Sequence, residues 1–207
     1  MAATFAIISL GCAKNLVDSE VMADRLLNAG FTKVEPEQAD ALIINTCAFI
    51  DPAKQEAIDT IFAATRAREA GEAPLHQKIM VAGCLSQRYA HDLVKLMPEV
   101  DCFIGVDKVL EVADIVSSCL NGTAEKVYST KVSKLMPDFF DVRYRLTGKH
   151  FAYVKIAEGC NHACAYCVIP RIRGGHRSRP QASIMREVKA LVDAGVKEIN
   201  LIAQDTT

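Results

Sequence analysis

The sequence predicts an α/β protein built on an open parallel sheet with helices on both faces. Three observations carry that expectation. A short apolar, partly β-branched run leads into a cysteine three times, at Gly11-Cys12, Thr46-Cys47 and Gly83-Cys84. Each run is followed by a stretch whose apolar residues recur at helical spacing. Strands alternating with helices in this way favour a parallel sheet, because parallel neighbours need long crossover connections. Half of the 207 residues are hydrophobic, enough to bury one large core or two small ones.

In chain order, Thr4 to Leu10 is the first strand and Asn15 to Ala29 its helix, with Val17/Val21 and Met22/Leu26 as i,i+4 pairs. Gly30 stops that helix, a brief strand covers Phe31 to Val34, and Ala41 to Asn45 is a second buried-type strand. Asp51-Pro52 opens another helix, with Asp as N-cap and Pro at N1. After a polar break from Gly71 to Pro74, Lys78 to Ala82 is a strand and Ser86 to Met97 its helix. Cys102 to Ile104 is a last short strand. It leads to a helix from Asp107 whose apolar positions Val109, Val112, Ala113, Val116, Cys119 and Leu120 share a face, and Asn121-Gly122 ends it. Glu125 to His150 lacks periodicity and holds Met136-Pro137, Asp138 and Gly148, which fits a linker with room for a strand or hairpin. Beyond it, a strand from Phe151 to Ala157, a helix with Ile184, Val188 and Leu191 inward, Gly195 and a strand from Ile199 to Ala203 form one βαβ unit. The expected division is a first domain over 1–124, a linker over 125–149 and the start of a second domain over 150–207.

Three thiols stand in the short loop Cys160, Cys164, Cys167. The spacing C-x3-C-x2-C offers three soft ligands, which suits three corners of a cubane iron-sulfur cluster and leaves the fourth iron open to a small molecule. A zinc loop or a disulfide pair are the competing readings. Zinc loops favour a Cys-x2-Cys pair joined to a distant second pair, and a disulfide would strand one thiol. Cys12, Cys47 and Cys84 are far apart in sequence, yet each follows the carboxyl end of a predicted strand. In open parallel sheets ligand sites form outside those ends, so the three thiols are expected to converge on a second cluster. Three unrelated buried cysteines are the alternative. Cys102 and Cys119, one opening a strand and one on an apolar helix face, are expected to pack in the core.

The formal net charge of -1 gives no global attraction to nucleic acid, but between Arg143 and Arg179 eight Lys or Arg face one acid, Glu158. Arg171, Arg173, Arg177 and Arg179 are candidates for holding anions, alongside a plain solvated-surface reading. Gln204 and Asp205 end the last strand, where the strand-end rule allows a ligand contact, and a plain strand-terminus role is the stronger reading of each. His150, His162 and His176 read as polar surface residues. The first residues lack a cationic leader and no apolar run approaches membrane-spanning length, so a cytoplasmic protein is expected, and eight cysteines in a reducing compartment do not suggest a disulfide framework.

The C-x3-C-x2-C loop, with Tyr166 just before its last cysteine, resembles the signature of the radical S-adenosylmethionine (SAM) enzymes. Gly11-Cys12-Ala13-Lys14-Asn15-Leu16-Val17-Asp18-Ser19-Glu20, together with Asn45-Thr46-Cys47, Ala82-Gly83-Cys84 and Ser178-Arg179-Pro180, resembles the methylthiotransferase family over nearly all of the chain. The resemblance implies two 4Fe-4S clusters and SAM as cofactors. Cys160, Cys164 and Cys167 are implied as ligands of the SAM cluster, Cys12, Cys47 and Cys84 as ligands of the auxiliary cluster, and Tyr166 and Gln204 as SAM contacts. It also implies an electron donor and insertion of sulfur and a methyl group. The implied target is the β-carbon of an aspartate in small ribosomal subunit protein twelve, Lys14 to Glu20 being less like the tRNA adenosine-modifying relatives. A non-catalytic iron-sulfur or zinc module is the reading from a different class. Finally, the resemblance implies a partial (β/α) barrel of which only two strands precede Thr207. Most of the barrel and the family's C-terminal RNA-binding-type domain are then expected outside these residues, with the 207 residues alone inactive and the tail loose or dependent on another chain.

Overall fold

The apolar runs of the first 124 residues become strands of one sheet. The computed structural model describes residues 2–129, 133 and 143–206. The first part runs β1 (Thr4–Ser9), α1 (Ala13–Asn28), β2 (Thr32–Lys33), β3 (Ala41–Thr46), α2 (Asp51–Glu69), β4 (Lys78–Gly83), α3 (Cys84–Leu96) and β5 (Cys102–Ile104). A 3-10 helix, Val106–Glu111, then runs into α4 (Val112–Leu120), and β6 (Val127–Tyr128) closes the sheet. The order is β2-β1-β3-β4-β5-β6, every pairing parallel. All six residues of β3 are buried, which is why Ala41 to Thr46 shows no polar alternation: its neighbours and the helices cover both faces. On one face Val17, Met22 and Leu26 of α1 pack with Ile43 and with Val112 and Val116 of α4. On the other, Ile61 of α2 and Leu85 and Leu93 of α3 pack with Ile44, Ile79 and Phe103. Cys102 and Cys119 sit in the first of these cores with their sulfurs 3.3 Å apart.

Some boundaries move in ways that bear on the site. Helix α1 starts at Ala13 with extended Cys12 as its N-cap residue, and α3 starts on Cys84 itself. Asp51 is not the N-cap of α2. Ile50 takes the extended N-cap conformation, Asp51 lies in the first turn, and its carboxylate pairs with Lys54 at 2.5 Å, an acid near the positive end of the helix dipole. From Asp107 the backbone is 3-10 before it becomes α-helical. The linker contributes β6, while its Met136-Pro137 and Asp138 lie outside the described residues, as does Thr207.

The second part holds β7 (Phe151–Lys155), β8 (Ala157–Glu158), α5 (Ile169–Arg173), β9 (Arg177–Ser178), α6 (Gln181–Asp193) and β10 (Glu198–Ile202). Strands β7 and β10 pair in parallel with α6 as the crossover, over a small core of Ala152, Val154, Leu191 and Val196. Strands β8 and β9 form a separate antiparallel pair. This part docks on α1 through charge. Arg143 bonds Glu20 of α1 at 2.6 Å and also pairs with Glu187 of α6, which in turn holds Arg179 at 2.5 Å. Lys155 holds Asp18 of α1 at 2.5 Å and Glu158 at 2.9 Å. Buried charges need this mutual pairing, because a lone one is strongly destabilising. No helix among the described residues is long and apolar enough to cross a membrane.

At the amino edge of the sheet, Asp40 ties the start of β1 to the start of β3. Its carboxylate accepts the Thr4 amide and hydroxyl, each at 2.8 Å, and meets His76 at 2.9 Å. The Thr4 amide first, then His76, holds the Asp40 carboxyl below its ordinary value of 3.8. A carboxylate depressed in the folded state contributes stability above its unfolded value and loses it as pH falls. Asp40→Asn is therefore expected to cost about 1 kcal/mol at neutral pH. Urea unfolding should show that difference in full above pH about 4 and shrinking to nothing in stronger acid.

Candidate metal centre

The strand order reverses between β1 and β3, and ligand sites in open parallel sheets form outside the carboxyl ends at such a switch point. Cys12 follows β1 and Cys47 follows β3. Cys84, next after β4, stands beside them. The three line one cavity of about 550 Å³, whose remaining wall includes Lys14, Phe49, Ile50, Ile169, Arg173, Ile202 and Gln204. Two glycines make the approach of the loops possible. Gly11 has φ +85, and a Cβ there would fall 2.5 Å from the Cys47 Cβ. Gly83 has φ +94, and a Cβ there would fall 2.3 Å from the Asn45 Oδ1 and 2.6 Å from the Thr46 carbonyl. Only glycine combines the left-handed backbone with no side chain.

The side chain of Asn15, fully buried, binds the three loops to one another. Its Nδ2 donates to the carbonyls of Leu10 at 3.2 Å and Thr46 at 2.8 Å, just ahead of Cys12 and Cys47. Its Oδ1 accepts from the Arg173 guanidinium at 2.7 Å and lies 3.7 Å from the Cys84 sulfur. Asn45 supports it, donating to the Asn15 carbonyl and the Ser19 hydroxyl, both at 2.8 Å. The amide orientation is fixed by its partners, since the nitrogen meets two acceptors and the oxygen a cation.

Behind the thiols lies a buried charge network. Arg173 pairs with Asp18 at 3.0 Å and Glu158 at 3.1 Å, and its Nη2 lies 3.5 Å from the Cys84 sulfur. Lys14 donates to the Ala157 carbonyl at 2.9 Å. Burial lowers the Lys14 amine to about 8, with Glu158 opposing that shift. Burial works against ionisation of Glu158 as well, but Lys155, Arg173 and Lys14 together hold its carboxyl well below the ordinary range. Arg173 stays above the usual arginine range because Cys84, Glu158 and Asp18 outweigh its own desolvation. Burial pushes the Cys84 thiol up, with Arg173 pulling the other way. Three cations, Lys14, Lys155 and Arg173, thus stand against two carboxylates, Asp18 and Glu158. The surplus is positive and borders three thiols, so the residues present fit an anionic, thiolate-ligated iron-sulfur group.

The second cysteine set lies in the irregular loop 159–168, between β8 and α5. Cys160 is buried, Cys164 exposed and Cys167 in between, with the Cys167 amide donating to the Cys164 carbonyl at 3.0 Å. Cys160, His162 and Asp205 bring their ligand atoms within 4.8 Å of one another, and His162 pairs with Asp205 at 3.1 Å. Gln204 anchors the start of the loop, accepting the Gly159 amide at 2.9 Å and donating to Glu158 at 3.0 Å. Tyr166 stands 87 % exposed at the loop's turn. Of the four arginines singled out in the sequence, Arg173 alone lines the cavity. Arg171 is exposed, Arg177 donates to the carbonyls of Gly175 and Arg173, and Arg179 serves Glu187 and Ser183. His150 packs its ring 5.0 Å from that of Phe151. Sequence reasoning missed the organising role of Asn15. A buried asparagine within the amphipathic helix was the available signal, since such a group must find partners.

Comparison with known proteins follows the same two-part division. The uncharacterized protein family UPF0004 matches residues 4–105 and the radical SAM superfamily matches residues 154–207. The chain is 54% identical to the ribosomal protein uS12 methylthiotransferase RimO of Akkermansia muciniphila, over 100% of this chain and 46% of that one. It is 51% identical to RimO of Opitutus terrae, over 97% of this chain and 44% of that one. The chain thus spans about half the length of these curated relatives. Among solved structures, the radical S-adenosylmethionine methyltransferase TsrM from Kitasatospora setae, bound to tryptophan and aza-SAM, covers 99% of this chain and 48% of its own. The TM-score is 0.62 at 11% identity, a likeness of fold alone. Matched in the same order by both families, and by RimO relatives along its whole length, the chain belongs to the methylthiotransferase family of radical SAM enzymes.

Proposed function

We propose that these residues carry the cluster-binding part of a methylthiotransferase that acts on ribosomal protein uS12, placing sulfur and a methyl group on the β-carbon of an aspartate. Residues 1–124 are the auxiliary-cluster domain, 125–149 the linker and 150–207 the start of the radical SAM domain. One observation carries the reading. The strand-end thiols Cys12, Cys47 and Cys84 share a cavity whose opposite wall comes from Ile169 and Arg173, just past the Cys160 to Cys167 loop, and from the end of β10. The strand-end thiols therefore open onto a space whose far wall adjoins the loop of the second cysteine set, an arrangement that suits insertion of sulfur at a carbon. The name shared by the RimO relatives supports uS12 as the substrate; an electron donor and a cytoplasmic location complete the reading.

Cys160, Cys164 and Cys167 hold the cluster that binds SAM, and Cys12, Cys47 and Cys84 hold the auxiliary cluster. When bound, these groups supply reductive cleavage of SAM and the sulfur to be inserted. The chain's own residues do the rest. Asn15 fixes the spacing of the three strand-end loops. Lys14 and Arg173 give the cavity wall the positive charge that thiolates need. Phe49 and Ile50, both exposed at the cavity rim, with Ile169 and Ile202 present an apolar surface that excludes water from the reacting centre. In this reading Gln204, which bonds the start of the SAM loop, and Tyr166, exposed on that loop, are the SAM contacts.

Anaerobic reconstitution of the full-length protein is expected to give about eight irons per chain. Cys12→Ala or Cys160→Ala should each remove about half of them, whereas Cys102→Ala should remove none. Stoichiometric zinc with no SAM cleavage would point to a structural metal module instead. For the substrate, peptide masses of uS12 and nucleoside masses of tRNA are compared between cells with and without the gene. Loss of the modified aspartate with tRNA unchanged is the expected result, and loss of methylthio-adenosine with the aspartate intact overturns it.

A further inference from the structure

The side chain of Arg173 is buried, and its partners are not those of an ordinary ion-pair arginine. It comes from α5, six residues past Cys167, yet it reaches across to the opposite cysteine set. Its Nη2 lies 2.7 Å from the Asn15 Oδ1 and 3.5 Å from the Cys84 sulfur. Two carboxylates, Asp18 at 3.0 Å and Glu158 at 3.1 Å, hold the guanidinium there. Those carboxylates are shared with Lys155, at 2.5 Å and 2.9 Å, so two cations balance two carboxylates and any further cation leaves the site positive. Lys14 adds to the same side of the balance. We propose that Arg173 is a positioning residue for the auxiliary cluster, an N–H donor to the Cys84 thiolate that raises the reduction potential of the group held by Cys12, Cys47 and Cys84.

The inference rests on the assignment of those three cysteines to a cluster, and its physics is simple. Reduction adds an electron to an already anionic group, and a buried cation with an N–H directed at a ligand sulfur stabilises the reduced form more than the oxidised one. The low dielectric of the site keeps that preference from being screened. Arg173 also joins the two halves of the site in one side chain. Its backbone follows the loop that holds SAM, and its head touches a ligand of the other cluster. A shift of α5 therefore moves the N–H donor relative to the Cys84 sulfur. Lysine does not replace it fully, because its point charge lacks the planar fork that meets Asn15, Cys84 and two carboxylates together.

The test uses full-length protein carrying Cys160→Ala, Cys164→Ala and Cys167→Ala, so that only the auxiliary cluster remains, with its midpoint potential measured by a titration followed by electron paramagnetic resonance. Adding Arg173→Met should lower the potential, and Arg173→Lys should restore part of the fall. An unchanged potential in a cluster-loaded Arg173→Met protein overturns the inference. If the triple cysteine variant holds no iron at all, the cluster assignment itself fails, and iron content tells the two failures apart. Where Arg173→Met does not retain the cluster, the protein with arginine intact is grown on ¹⁵N-arginine and the reduced cluster examined by pulsed resonance. A nitrogen coupling from a guanidinium in contact is expected, and its absence contradicts the proposal.

Discussion

The carboxamide of Asn15 is the contact on which the arrangement of the site depends. Sheet geometry alone puts the carboxyl ends of β1, β3 and β4 side by side, but strands leave their following loops free to splay. One buried side chain removes that freedom by bonding to Leu10 and Thr46 and meeting Cys84 and Arg173. Because α1 begins directly after Cys12, Asn15 sits in its first turn, where the side chain reaches the loops rather than the sheet. Gly11 and Gly83 let the backbones come close enough for that reach. Each bond contributes about 1 kcal/mol net, and leaving the groups buried without partners costs more than the bonds yield.

Charge is arranged around the same point. The face of α1 that carries Lys14 and Asp18 would ordinarily face water, but here it is buried against β7, β8 and α5 and joined to them by ion pairs. Breaking such a pair by removing one member costs about 3–5 kcal/mol. The network therefore fixes how the second part seats on the first, and its positive surplus is turned toward the thiols. Docking and ligand chemistry share the same residues: Arg173 seats α5 against α1 and also approaches the Cys84 sulfur.

Much of this was legible in the sequence, for definable reasons. Hydrophobic runs gave the strands, and the rule that ligands gather at carboxyl ends turned Cys12, Cys47 and Cys84, far apart in sequence, into residues of one cavity. Cys102 and Cys119 read as core residues from their positions on a strand and an apolar helix face, and they are buried together. What stayed hidden was set by tertiary partners. Four arginines close in sequence look alike on paper, and only packing decides that Arg173 enters the cavity while Arg179 turns to Glu187. Asp51 reads as a helix cap, but Ile50 takes that position and Asp51 pairs with Lys54 in the first turn. Asn15 lay in plain view within the helix, but its partners are carbonyls, which no side-chain pattern reports.

The most direct measurement is the iron bound by full-length Asn15→Ala protein after anaerobic reconstitution. If the Asn15 amide gathers the strand-end cysteines, the variant keeps the iron held by Cys160, Cys164 and Cys167 and loses the share held by Cys12, Cys47 and Cys84, about half of the total. A folded variant with its full complement of iron would contradict the account, because the three loops would then converge without the amide that is said to hold them.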